Sequence, residues 1–133
     1  MKKVFIDTNI IIDYSKGFDK SLKHLFFLQK QNFVKIFVNS IVIAEFFNDK
    51  SLKNIKKLDR ANRLFQYFTV LELTGKSGFL AGRLLRTNQV NFIADSLIAA
   101  TCLDNGLELM TNNKKDFKKV KGLKFYEEKG LIE

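Results

Sequence analysis

Apolar residues in this chain fall into short runs whose period switches between that of a strand and that of a helix, and the switching outlines a fold. Val4, Phe5 and Ile6 form a brief β-favouring run closed by Asp7, which predicts a first strand over 3–6. Residues 8–14 then read as a helix that Lys16 and Gly17 close, and 21–31 place Leu22, Leu25, Phe26 and Leu28 near helical spacing. A second strand is predicted over 35–38. Ser40 belongs to the preferred N-cap types, so it is expected to cap a helix over 41–48. A longer helix follows over about 52–67 with Ile55, Leu58, Leu64 and Phe65, then a third strand over 68–71. Helices are predicted over 75–88 and 92–105, the second stopped by Gly106, with a fourth strand over 107–110 and a fifth over 123–126.

Strands alternating with helices of this length imply βαβ units. The expected class is α/β: one domain over 1–133, with a mostly parallel central sheet of four to five strands between two helical layers. No Pro/Gly/Ser linker, repeat or low-complexity tract divides it. In such sheets ligands bind outside the carboxyl ends of the strands, near a topological switch point. Asp7 ends the first strand and Thr111, Asn112 and Asn113 follow the fourth, so both lie where a site is expected.

Composition narrows this reading. Hydrophobic residues at 46% support a folded chain. The longest apolar runs are too short to span a bilayer. An acid at position 7 arrives before any export-signal core could form, so the N-terminus is expected to be a strand. The single cysteine, Cys102, excludes an internal disulfide and fits a reducing, cytoplasmic setting; its small apolar neighbours make it a core helix residue. The net charge is +9, with 23 Lys and Arg against 14 Asp and Glu, and the pI is about 9.7. A field of that sign attracts polyanions, nucleic acid foremost. The lysine-rich run from Lys114 to Lys121 would by itself be a solvated face.

Against this basic background three acids stand in apolar runs. Asp7 follows Val4-Phe-Ile6, Glu45 lies within Ile41-Val-Ile-Ala-Glu-Phe-Phe47, and Asp95 within Phe92-Ile-Ala-Asp-Ser-Leu-Ile-Ala-Ala100. An unpaired carboxylate in such surroundings shifts its pKa or finds a cation. Each has a plain structural reading as well: Asp7 as a helix cap, Asp95 as a first-turn acid favoured by the helix dipole, Glu45 as partner of a lysine. Gathered at one sheet end, the acids instead call for a hard divalent cation such as Mg²⁺, which takes oxygen ligands and keeps several waters.

Asp7-Thr-Asn-Ile-Ile-Ile-Asp-Tyr14 after a short apolar strand resembles the opening of PIN-domain nucleases, in particular VapC-type toxins of bacterial toxin–antitoxin pairs. Three later stretches agree in order and spacing. Ser40-Ile-Val-Ile-Ala-Glu-Phe-Phe47 resembles the segment holding the family's glutamate, and Ile93-Ala-Asp-Ser-Leu97 its aspartate-bearing helix. Thr111-Asn-Asn-Lys-Lys-Asp-Phe117 resembles its last motif. The resemblance implies a PIN-like α/β/α fold and four acidic site positions on Asp7, Glu45, Asp95 and Asp116. Asp7 and Asp95 match the most direct metal holders, Glu45 and Asp116 complete the pocket, and Thr8, Asn9 and Ser40 are polar support. Many relatives carry an acid where this chain has Asn113, so Asp116 and Asn113 both stand as candidates for the fourth position.

The implied activity is Mg²⁺-dependent (alternatively Mn²⁺-dependent) endonucleolytic cleavage of RNA by metal-activated water. No histidine base is required, and the lone His24 is expected on a helix surface. Arg83, Arg86, Lys114 and Lys115 are candidate backbone clamps. The implied partners are an RNA substrate, a cognate antitoxin and a second copy of the chain; the 14 phenylalanines either line such surfaces or pack the core. Two other readings compete. A phosphoacceptor domain would need a phosphorylatable Asp ending a middle strand, where this chain offers only Glu72. A non-catalytic PIN-like RNA- or protein-binding module would retain the fold without cutting.

Overall fold

The continuous apolar runs Val4-Phe5-Ile6 and Ile36-Phe37-Val38 have no polar alternation, and strands of that kind are stable only when covered on both faces. Both are buried along their length in the computed structural model, which describes residues 1–127. They belong to strands β1 (Lys2–Ile6) and β2 (Val34–Asn39), which with β3 (Thr69–Leu71) and β4 (Glu108–Met110) form an all-parallel sheet in the order β3-β2-β1-β4. The edge strands are only three residues each. Around the sheet run α1 (Thr8–Ser15), α2 (Ser21–Lys30), α3 (Ser40–Phe47), α4 (Ile55–Phe65), α5 (Gly75–Arg86), α6 (Ile93–Asn105) and the short α7 (Lys114–Phe117).

The chain builds outward from β1 to β3, then recrosses to place β4 on the other side of β1. Right-handed crossovers therefore put α1–α4 on one face and α5–α6 on the other. The direction of building reverses between β1 and β4, so the carboxyl ends of those two strands form the switch point.

The phenylalanine surplus serves packing on the α1–α4 side. Tyr14 and Phe26 meet edge-on at 5.6 Å, Phe26 reaches Phe68 at 5.8 Å, Phe68 reaches Phe65 at 5.2 Å, and Phe65 touches Phe46 at 5.0 Å. This train of rings ties α1 through α4 to one another, each pair worth about 1 kcal/mol beyond its buried area. Phe18, Phe27, Phe33, Phe79 and Phe92 stay exposed.

Three local expectations are corrected. Ser40 is the first residue of α3 and not its cap; Asn39, in extended conformation, accepts from the Val42 amide at 3.1 Å. Asn competes fully with Ser as an N-cap, and here it sits at the end of a buried strand. The helix expected over 52–67 is broken: Lys50–Lys53 form a 3₁₀ turn, and Asn54, again extended, caps α4 through the Lys57 amide. The fifth strand reduces to one parallel bridge between Leu109 and Phe125, because the chain arrives there through Gly122, whose positive φ of 84° sets a turn. Gly106 ends α6 in the left-handed conformation, as expected of a C-terminal stop. Among the described residues no helix is long and apolar enough to cross a membrane.

Candidate active site at the switch point

Parallel register builds the centre of the site. Ile6 pairs with Met110, so the next residue of each strand, Asp7 and Thr111, emerge side by side. The Asp7 amide donates to the Met110 carbonyl at 3.0 Å, and the Thr111 hydroxyl donates to Asp7 Oδ2 at 2.7 Å. The other oxygen, Oδ1, accepts from the Thr8 amide at 2.8 Å and caps α1. Asp7 is thus buried with both oxygens held. Next to it the Thr8 hydroxyl donates to Glu45 Oε1 at 2.7 Å, fastening α3 to α1 above the sheet. Asp95 enters from the first turn of α6, and Asp116 from α7. An open cleft of about 390 Å³ is lined by Asp7, Thr8, Asn9, Glu45, Asp95 and Asp116, with Ile12, Asn48, Phe92 and Asn113 completing its wall.

The four carboxylates share one electrostatic environment. Burial pushes the Asp7 carboxyl above its usual range despite the Thr111 and Thr8 hydrogen bonds, and Glu45 and Asp116 push it further. Asp95 rises to about 6, first through burial and then through repulsion by Asp7, Asp116 and Glu45. Among the described residues none of the four has a Lys or Arg ion partner. A +9 chain that leaves these acids unpaired has a cleft suited to an added cation. No three acidic, His or Cys side chains among the described residues form a ready-made cage. The donors are all hard oxygens, however, and Mg²⁺ typically takes one or two carboxylates and keeps its waters. The residues present fit a cation of that kind, and not a structural metal wrapped by protein.

All four acids expected from the sequence line this cleft, though not as their flanks foretold. Glu45 is exposed: the apolar neighbours Val42 and Phe46 turn to the core, and its own face of α3 does not. Asp95 and Asp116 are half-buried; only Asp7 is fully so. Glu45 pairs with Thr8 and, among the described residues, with no lysine, while Asp116 and Asn113 both reach the cleft. Ser40 is exposed and does not line it. Of the expected clamps, Arg83 and Arg86 lie outside, and Lys114 is bound to Glu127 at 2.6 Å.

Thr111 lies at the sheet end where the sequence reading expects a site, but its bond to Asp7 was not foreseen. Its signal was available, since a hydroxyl directly after a strand neighbouring β1 must emerge beside Asp7. Its oxygen also accepts from the Asn113 amide at 2.9 Å, so it joins the carboxylate to the loop that leads to Asp116. Thr111→Val keeps the shape and removes both bonds. Divalent-cation affinity measured by calorimetry is expected to fall roughly 10–100-fold, with a stability loss of about 1–2 kcal/mol. Unchanged affinity would show that Thr111 does not position Asp7.

Comparison with known proteins agrees with this fold. The sequence profile of the PIN domain matches residues 4–123. Ribonuclease VapC1 of Rickettsia felis is 30% identical over 130 residues, covering 90% of this chain and 92% of that one. Among solved structures, DNA-bound VapBC from Salmonella typhimurium superposes with a TM-score of 0.79 at 23% identity, covering 95% of this chain and 98% of that one. A toxin–antitoxin complex from Klebsiella pneumoniae gives 0.73 at 22% identity, covering 90% and 94%. At these identities the structures speak for the fold.

Proposed function

Since this chain belongs to the PIN domain family and has a VapC ribonuclease among its relatives, we propose that it is a divalent-metal-dependent endoribonuclease, the toxin of a VapBC-type pair. The observation that carries the reading is the convergence of Asp7, Glu45, Asp95 and Asp116, without counter-cations among the described residues, at the switch point of a strongly basic protein. Asp7 and Asp95 would hold Mg²⁺ or Mn²⁺, with Glu45 and Asp116 completing the pocket. When bound, the cation supplies charge neutralisation at the phosphodiester and a lowered pKa for attacking water.

The protein's own part is positional and acid–base. Thr111 and the Thr8 amide fix Asp7 at both oxygens, and the residue so held lines the cleft. The Thr8 hydroxyl holds one oxygen of Glu45, so the other is free to orient the attacking water or accept its proton. Asp116 can serve the same end from α7. The basic exterior raises the local concentration of RNA, and neutralising the pocket's own negative charge removes its repulsion of the phosphate to be cut. The Klebsiella neighbour is a toxin–antitoxin complex, which supports an antitoxin partner here; a homodimer belongs to the same proposal, and exposed Phe79, Phe92 and Ile93 are apolar surface available to either.

Purified protein is expected to cut structured RNA with Mg²⁺, leaving 5′-phosphate and 3′-hydroxyl ends, to stop in EDTA, and to resume when Mg²⁺ or Mn²⁺ is restored. Equal cutting in EDTA would overturn the metal chemistry. RNA binding without any cutting would make the chain a non-catalytic module.

A further inference from the structure

A second cleft, of about 310 Å³, opens beside the acidic one. One wall is the turn bearing Asn88 and Asn91; the other is the α7 region with Lys115, Lys118 and Lys119. Asp116 lines both clefts, so the two share that residue. The turn is built and braced. Asn88 holds a positive φ of 60°, and the Gln89 side chain accepts from the Lys121 amide at 3.0 Å while donating to the Thr87 hydroxyl at 2.9 Å. The three lysines have no ion partner among the described residues, whereas adjacent Lys114 is tied to Glu127. Gathering like charges around a concavity costs free energy that a bound polyanion returns.

We propose that this second cleft holds the RNA backbone next to the linkage being cut, with Lys115, Lys118 and Lys119 neutralising phosphates and Asn88 and Asn91 donating to phosphate or sugar oxygens. The inference rests on the nuclease reading above and adds a direction to it: the substrate strand leaves the acids past Asp116 toward the 88–91 turn. It also replaces the clamps expected from sequence, of which only Lys115 lines the cleft. A merely solvated lysine face would have neither the concavity nor the shared wall with the acids.

The test compares a Lys115→Gln/Lys118→Gln/Lys119→Gln variant with a Lys20→Gln/Lys23→Gln/Lys30→Gln control. The control removes equal charge from exposed lysines that line neither cleft. Binding of a labelled single-stranded RNA is followed by anisotropy in EDTA across a salt series. The cleft variant is expected to lower the slope of log Kd against log salt by about 2, from roughly 0.7 per phosphate contact on a single strand. The control should lower it much less. With Mg²⁺, the cleft variant should raise KM for the same RNA and leave kcat unchanged. Equal losses in both variants would reduce the effect to net charge and overturn the proposal. Unchanged RNA binding would also overturn it, including the case where the variant instead loosens a protein partner. Failure of the nuclease reading shows separately, as an unaltered chain that neither binds nor cuts RNA.

Discussion

Asp7→Asn is expected to cut RNA roughly a thousandfold more slowly than the unaltered chain, the several kcal/mol that a misheld cation forfeits in transition-state stabilisation, and yet to melt at a higher temperature in metal-free buffer. The two effects have one origin. Asn ranks with Asp as an N-cap, so its oxygen can still accept from the Thr8 amide, and its Nδ2 can donate to the Thr111 hydroxyl. What disappears is one buried negative charge among four mutually repelling carboxyls. The sign with pH follows. A carboxyl raised in the folded state, such as Asp95 at about 6, stabilises the fold while protonated, and that stability is lost as pH rises through about 6. The melting advantage of Asp7→Asn should therefore be larger at pH 8 than at pH 5, and should vanish when Mg²⁺ is added. Parallel cleavage assays and thermal melts read both. Retained cleavage, or a metal-free variant that melts lower at both pH values, would remove Asp7 from the centre of the site.

Asn39→Ala is expected to destabilise the fold by about 2–3 kcal/mol, from a lost cap and a buried Thr101 hydroxyl oxygen left without its donor, which lowers the melting temperature by roughly 10 °C at this chain length. Asn39 is wholly buried at the end of β2. Its oxygen caps α3 at the Val42 amide, and its nitrogen donates to the Thr101 hydroxyl of α6 at 3.0 Å. It thereby links the helix carrying Glu45 to the helix carrying Asp95. Asn39→Ser can retain the cap and should lose less. Denaturant melts with an unchanged m-value and a lower midpoint would confirm a folded-state effect. A loss below about 0.5 kcal/mol, the ordinary range for surface substitutions, would contradict it.

Much of this architecture is legible in the sequence. The β1 and β2 runs and the Gly106 stop follow from period and turn chemistry, and the four acids that line one cleft are those the family resemblance implies. What stayed hidden has physical reasons. Asn39 and Ser40 are adjacent and both competent caps, so propensity cannot choose between them; burial at the strand end does. The break at Asn54 lies between two helix-compatible stretches, where one side-chain bond to the Lys57 amide decides the outcome. Glu45 looked buried because its linear neighbours are apolar, but on a helix those neighbours point elsewhere. The Lys115–Lys119 cleft depends on a turn that lies some 25 residues earlier in the chain, which no local pattern reports.

The bond between Thr111 and Asp7 spans 104 positions of sequence. A ribosome elongating at about 5–20 residues per second takes several seconds to cover that distance, and N-terminal segments begin to fold first. Throughout that interval β1 lacks its neighbour β4, Asp7 lacks one of its two anchors, and Asp116 has not been synthesised. On the proposed mechanism, a nascent copy still lacking β4 and Asp116 would be inert, and cutting power would arrive in a single step when that strand docks. For a protein proposed to harm the cell that makes it, strand order alone delays activity until β4 has docked beside β1, which leaves time for an inhibitor to meet it.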